Sequence, residues 1–168
     1  MKAILYTSNT GSTAEYAQLL GRELNLPVYS IKQAKNKVSC GSEIIYLGWI
    51  MAGEIKGYKR AAKLYKVCAV CGVGMGQTGT QLKEIRDKNA ISQRVPLYTL
   101  QGNFDVKKLH GMYRFMMNVM VKTAGKQLAN KANRTFEEDD MLDMMVNGGK
   151  RVSLENLKVV TEWYKNVC

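Results

Sequence analysis

Short apolar runs alternate with segments of helical periodicity along most of this chain. Each run is followed by a polar or glycine-containing turn and then by apolar positions three or four residues apart. Several runs, such as Ile44-Ile45-Tyr46-Leu47, are continuously apolar, which is typical of strands buried on both faces. We therefore predict an α/β fold with a parallel sheet covered by helices on both sides. The predicted strands are residues 3–6, 26–30, 43–50, 67–73 and 95–101, and the helices between them are residues 14–24, 58–65 and 81–89.

After the fifth predicted strand the pattern becomes purely helical. Residues 105–129 form one long predicted helix. Thr135 and the glutamate three residues later have the spacing of a capping box, and the acidic run there is interpreted as the start of a helix rather than as a metal site. Ser153 is placed to cap a final helix. We predict one domain, residues 1–168, with a helical insertion at about residues 105–150.

Positive charge is concentrated in one part of the sequence. The net charge is +11, but residues 56–134 hold 16 basic and 3 acidic residues, against 9 basic and 11 acidic in the remainder. Such a segment attracts nucleic acid, an anionic membrane surface or an anionic substrate, and it is also typical of a solvated surface. Nucleic acid is the least expected of these, because the aromatic residues (8%) are not interleaved with the basic ones.

Cys68 and Cys71 have the C-x-x-C spacing of redox and zinc sites. They lie in a predicted buried strand, however, where residues three apart point to opposite faces. His110 is the only histidine of the chain. We therefore interpret the cysteines as structural and predict no metal site.

The N-terminal segment turns polar at Thr7, and no apolar run reaches the length of a membrane-spanning helix. We therefore expect a cytoplasmic protein. Peripheral contact with an anionic membrane remains an alternative, given the basic segment.

The motif with the clearest chemical meaning is the loop Ser8-Asn9-Thr10-Gly11-Ser12-Thr13, between the first predicted strand and the first predicted helix. N–H groups and the positive end of a helix dipole meet there, so the loop suits a phosphate dianion without a cationic side chain. It has neither the Gly-Lys-Ser/Thr of a P-loop nor a G-x-G-x-x-G. On its residues alone it fits a phosphate site and a simple polar turn with a helix cap equally well.

The residues around this loop resemble the flavodoxin phosphate-loop signature. The matching positions are Ile4, Leu5, Tyr6, Ser8, Gly11, Thr13, Ala17 and Leu20. The resemblance implies a flavodoxin-like three-layer sandwich, with a five-stranded parallel sheet of order 2-1-3-4-5 and FMN as cofactor. It also implies that Ser8, Thr10 and Thr13, with the backbone of residues Asn9–Thr13, which include Gly11 and Ser12, bind the FMN phosphate.

In flavodoxin-like proteins two further loops contact the isoalloxazine ring. The resemblance assigns this role to Trp49, Ile50, Met51, Ala52 and Gly53 after strand three, and to Gly72, Val73, Gly74, Met75 and Gly76 after strand four. Trp49, Ile50, Met51 and Met75 supply apolar surface for the ring, and the backbone supplies hydrogen bonds. The second loop lacks the usual aromatic and acidic residues, so one ring face is expected to be open to substrate.

The segment 112–125 resembles the insertion helix of flavodoxin-like, menaquinone-dependent protoporphyrinogen dehydrogenases. Those enzymes carry a long extra segment after strand four, where this chain has only residues 76–81. The substrate is therefore not carried over. The methionines of this helix fit a core stripe, and they also fit contact with a membrane, a quinone or a flat apolar substrate. His110 is interpreted as a surface or packing residue.

Together these features predict an FMN-binding oxidoreductase that passes hydride or electrons between a donor and an acceptor. The alternatives are an electron carrier docking to a redox partner protein, a protoporphyrinogen dehydrogenase-like enzyme, and, least expected, a non-enzymatic binder of anionic surfaces. Expected partners are a redox protein, a quinone or a small substrate. No catalytic acid or base is predicted, although Lys56 or Lys59 is placed to assist the reduced flavin.

Overall fold

A computed structural model describes residues 1–103 and 111–167 of the protein. The strands are β1 (Ala3–Thr7), β2 (Val28–Ser30), β3 (Glu43–Met51), β4 (Glu54–Ile55), β5 (Lys66–Gly74) and β6 (Leu97–Gln101). The helices are α1 (Ser12–Leu24), α2 (Ile31–Ala34), α3 (Tyr58–Leu64), α4 (Leu82–Asn89), α5 (Gly111–Ala129), α6 (Phe136–Asn147) and α7 (Lys158–Val167), with a 3-10 turn at Glu155–Leu157 before α7.

Five of the strands form a parallel sheet in the order β2-β1-β3-β5-β6. This confirms the expected flavodoxin-like order 2-1-3-4-5. The strand count differs by β4, a two-residue strand that pairs antiparallel with the end of β3, Ile50 opposite Ile55. Ala52 and Gly53 turn the chain between them, both with positive φ (48° and 77°). A two-residue strand has no sequence periodicity, so the sequence pattern did not predict it.

The continuous apolar strands serve two separate layers of core. In β3, Ile44 and Tyr46 pack into the layer beneath α2, α3 and α4, and Ile45 and Leu47 pack into the layer beneath α1 and α7. Alternate side chains of a strand point to opposite faces, so a central strand needs an apolar residue at every position. The sheet is thus covered on both sides, as the sequence predicted.

The C-x-x-C motif lies at an irregularity of the sheet. Val67 pairs with Ile44 and Ala69 with Ile45, so Cys68 is the extra residue of a β-bulge. Cys71 is fully buried in the core, and burial raises the pKa of its thiol to about 12. Within the described ranges no three His, Cys, Asp or Glu side chains converge as metal ligands.

Beyond β6 the described chain is helical. α5 packs against α6, which opens with the predicted capping box: the Thr135 hydroxyl accepts from the Glu138 N–H, and the Glu138 carboxylate accepts from the Thr135 N–H. His110 and the side chains of the predicted methionine stripe lie outside what the structure describes. No helix among the described residues combines the length and apolar character needed to cross a membrane.

Candidate functional site

A cavity of about 390 Å³ opens at the carboxyl ends of the central strands. β1 and β3 are neighbours there, although the chain leaves them toward opposite edges of the sheet. Such a switch point is where open α/β sheets bind ligands. The predicted residues that line the cavity are Asn9, Thr10, Ser12, Thr13, Trp49, Ile50, Met51, Ala52, Gly53, Val73, Gly74, Met75 and Gly76. All predicted site residues except Ser8, Gly11 and Gly72 are therefore brought to one cavity.

The β1–α1 loop presents the start of α1 to this cavity without a side-chain cap. Gly11 occupies the cap position with φ 108°, and no side chain accepts from the first-turn N–H groups. The first intrahelical bond runs from the Glu15 N–H to the Gly11 carbonyl, so the N–H groups of Ser12 and Thr13 precede it. The Ser or Thr cap that the alternative interpretation expects is therefore absent from the start of α1, where Gly11 stands instead.

Ser8 and Ser12 instead shape the loop. The Ser8 hydroxyl accepts from the Gly11 N–H at 3.2 Å, which closes the bend before the helix. The Ser12 hydroxyl accepts from the Asn103 N–H at 3.1 Å and is 3.2 Å from the Asn103 carbonyl oxygen, which joins the loop to the end of β6. Ser8 and Gly11 therefore do not line the cavity but determine the path of the residues that do.

The hairpin of β3 and β4 forms the second wall, and buried polar groups hold it in place. The Asn89 side chain at the end of α4 accepts from the Ile55 N–H and donates to the Gly53 carbonyl, both at 2.8 Å. The Tyr46 hydroxyl lies 2.8 Å from the Lys56 carbonyl and 2.7 Å from the Thr7 hydroxyl. Since a carbonyl only accepts, Tyr46 donates to Lys56 and accepts from Thr7. Burial raises the pKa of Tyr46 to about 12.

Gly72 supports this hairpin from below. A Cβ at Gly72 would lie 2.8 Å from Ile50 Cδ1 and 3.3 Å from Ile55 Cδ1. The glycine therefore lets the hairpin side chains pack directly onto β5. Gly72 does not line the cavity, so it contributes to the site only by supporting the hairpin.

The loop between β5 and α4 forms the third wall and is fastened to β6. Thr99 donates its hydroxyl proton to the Thr80 carbonyl at 2.8 Å, and its own carbonyl accepts from the Gly79 N–H at 3.0 Å. The Gln101 N–H donates to the Thr78 hydroxyl at 3.1 Å. These bonds keep Met75 and Gly76 at the edge of the cavity.

Helix α6 covers the side of the cavity next to this loop. Met141 and Met145 line it, Met145 being buried. The Asp140 carboxylate anchors the helix by accepting from the Gln101 amide at 2.5 Å and from the Arg151 guanidinium at 3.1 Å. The side expected to be open beside the second loop is therefore lined by methionines of the insertion.

The cavity lining is uncharged throughout the described residues. Lys56 is 2.7 Å from Glu54 in an ion pair at the outer side of the hairpin. Neither Lys56 nor Lys59 lines the cavity, so the predicted assistance to the flavin would act only through space. An anion in the cavity would be met by backbone N–H groups, hydroxyl groups and the side-chain N–H groups of the lining, without a cationic side chain.

Sequence reasoning missed several lining residues. Thr99 lies within β6 and Asn103 lies two residues beyond it, and the rule that ligands bind at the carboxyl ends of strands indicates that region. Gln77, Thr80 and Gln81 continue the second predicted loop. The sequence pattern did not indicate Met141 and Met145 as lining residues, because helical periodicity does not show which element an inserted helix packs against.

A family model described as "Flavodoxin domain" matches residues 3–130, which include all three loops. Comparison with curated proteins and with solved structures gave no match. The finer resemblance to protoporphyrinogen dehydrogenases is not confirmed by these comparisons. At a coarse level a flavodoxin domain indicates a flavin-binding redox protein, in agreement with the fold and with the three loops around the cavity. The chain belongs to the flavodoxin domain family.

Proposed function

We propose that this chain binds FMN in the cavity and passes electrons or hydride through the flavin between a donor and an acceptor. One observation supports it most directly. The uncapped start of α1 and the two loops expected at the ring line the same uncharged cavity. When bound, FMN supplies the redox chemistry, since it accepts one or two electrons.

The residues present fit each part of the cofactor. Gly11 has open space around its Cβ position, so a phosphate can approach the backbone of Ser12 and Thr13 at the positive end of the helix dipole. Trp49, Ile50 and the cavity-lining methionines provide apolar surface for the ring and exclude water from it.

Comparison of FMN with riboflavin, which lacks the phosphate, tests the two halves of the site separately. We expect the purified chain to be yellow and to bind FMN more tightly than riboflavin. Thr13→Val should raise the Kd of FMN while leaving that of riboflavin almost unchanged, because only the phosphate end is affected. Met75→Ala, at the ring end, should weaken both.

The matched control is Thr161→Val, the same change on α7, where the hydroxyl donates to the Lys158 carbonyl away from the cavity. It should leave both Kd values unchanged. A chain that folds but binds neither compound at saturation would refute the proposal. Equal loss of FMN and riboflavin in Thr13→Val would refute the assignment of the phosphate end.

The proposal includes an enzyme with its own substrate and an electron carrier as modes of action. Anaerobic reductive titration of the FMN-loaded chain distinguishes them. Accumulation of a one-electron-reduced form would favour the carrier, and direct two-electron reduction would favour the enzyme.

A further inference from the structure

The two helical layers of this protein differ in charge. Helices α2, α3 and α4 pack on one core cluster and carry seven basic and two acidic residues. Helices α1 and α7 pack on the other and carry three basic and three acidic residues. The basic excess of the sequence is therefore gathered on one face of the sheet, which we call the basic face and define as the exposed side of α2, α3 and α4.

The cations of this face are available to a partner. Lys59, Arg60, Lys63 and Lys83 are exposed, and within the described chain none of them forms an ion pair. Arg86 differs from these four residues, because its guanidinium donates to the Ser92 and Val95 carbonyls and fixes the turn after α4.

The basic face is continuous with the rim of the cavity. Gly53 lines the cavity, and the aliphatic part of the Lys88 side chain lies beside it. A Cβ added to Gly53 would be only 2.9 Å from Lys88 Cδ. The hydrogen bond from Lys56 holds the pKa of the Glu54 carboxyl below its usual value, and the charges of Lys59 and Lys88 act in the same direction. Three lysines therefore lie around the Glu54 carboxylate at this edge of the hairpin.

We propose that the basic face docks an acidic surface of the protein that exchanges electrons with this chain, an inference that rests on the proposed function. Complementary charge steers association and orients the partner, and the face adjoins the β3–β4 hairpin that borders the cavity. A partner held there lies next to the edge of the site through which electrons would pass.

A protein surface fits this face better than a bilayer does. Leu82, 37% exposed, is the one exposed large hydrophobic residue on α2, α3 and α4, all of which the structure describes in full. A helix that lies in a membrane interface needs an apolar face to insert, which these helices turn instead toward the core.

The test uses the FMN-loaded full chain and an acidic plant-type [2Fe–2S] ferredoxin as probe, with Kd measured by calorimetry at several salt concentrations. We expect binding that weakens steeply with salt. The triple variant Lys59→Glu, Lys63→Glu, Lys83→Glu should raise the Kd at least tenfold. The control triple Arg22→Glu, Lys158→Glu, Lys165→Glu makes the same change in net charge on the other face and should have little effect.

Three results would overturn the proposal: no binding at low salt, equal loss in both triple variants, or binding only to anionic phosphatidylserine vesicles. Flavin absorbance of every variant is recorded first. Loss of FMN would indicate failure of the proposed cofactor site, whereas retained FMN with unchanged ferredoxin binding would indicate failure of the docking surface alone.

Discussion

The contact between Asp140 and the end of β6 gives the sharpest prediction about the site. Asp140→Ala removes the acceptor of the Gln101 amide and one partner of Arg151. The Asp140 side chain is only 18% exposed, so its bond to Gln101 contributes about 1.5–3 kcal/mol as a hydrogen bond to a charged group. The Arg151 side chain is 34% exposed and still has Asp143 as a partner at 3.5 Å in the variant. Loss of the Asp140–Arg151 ion pair therefore adds only about 0–1 kcal/mol.

A loss of about 1.5–4 kcal/mol in the docking of α6 corresponds to a factor of roughly ten to several hundred in an equilibrium. If Met141 and Met145 contact bound flavin, part of this loss appears in the cofactor affinity. We expect the Kd of FMN to rise by about tenfold or more. The Kd of riboflavin should rise by the same factor, because the affected contacts are at the ring, which both compounds share. Flavin fluorescence quenching measures both values.

Asp139→Ala is the control, since it removes an acidic residue from the same helix. Asp139 pairs with Arg134 on the outer side and is 56% exposed, so FMN affinity should not change. Circular dichroism and thermal unfolding show whether each variant keeps its fold. A folded Asp140→Ala chain with unchanged FMN and riboflavin affinity would refute the role assigned to α6.

Four further predictions concern groups elsewhere in the chain. Cys40 is exposed, whereas Cys71 is fully buried with its thiol pKa raised to about 12, so a thiol reagent at neutral pH should label Cys40 in the native chain and Cys71 only on unfolding; peptide mapping that found rapid labelling of Cys71 would contradict this. Burial raises the pKa of Tyr46 from 10.0 to about 12, so the unfolded chain loses this proton first and the free energy of unfolding falls between about pH 10 and 12. Denaturant titration should show that fall reduced in Tyr46→Phe, which is also less stable at neutral pH by about 1–3 kcal/mol. Gly48→Ala places a Cβ 2.5 Å from Ile55 Cγ2 and 2.7 Å from the Lys56 carbonyl oxygen, and should destabilise the chain by about 1–3 kcal/mol and weaken FMN binding. Gly125→Ala, in α5 with open space around its Cβ position, should instead stabilise the chain by about 0.5–1 kcal/mol. A loss of stability in this variant would contradict the open space at that position.

The sequence predicted those elements whose structure is determined by residues close together along the chain. A strand buried on both faces needs consecutive apolar residues, so β1, β3 and β5 were recognisable, and the polar loop after β1 carries a signature of its own. Strand order followed from the family resemblance, because pairing between distant strands leaves no local pattern. The bounds of β6 and β2 differ by two residues from the prediction, because each strand begins directly after a proline, Pro96 or Pro27, that has no backbone N–H to donate to the ladder.

What the sequence did not reveal depends on contacts between distant residues. The hairpin of β4 is held by Asn89, more than thirty positions away, and α6 is held by Gln101 and Arg151. Neither contact involves a motif. The basic face shows the same limit, because the excess of lysine and arginine was visible in the sequence, but its gathering on α2, α3 and α4 follows only from the sheet topology.

The family match ends at residue 130, before α6 begins, yet α6 lines the cavity. The parts expected to hold the phosphate and one side of the ring therefore belong to the shared domain, and the wall beside the second loop does not. If FMN binds as proposed, a small molecule that approaches its ring from this side meets residues that the family match does not cover. A difference in reaction between flavodoxin-domain proteins with the same cofactor loops would then arise in part at this wall. For this chain, Asp140, Met141 and Met145 are the positions at which such a difference should be sought.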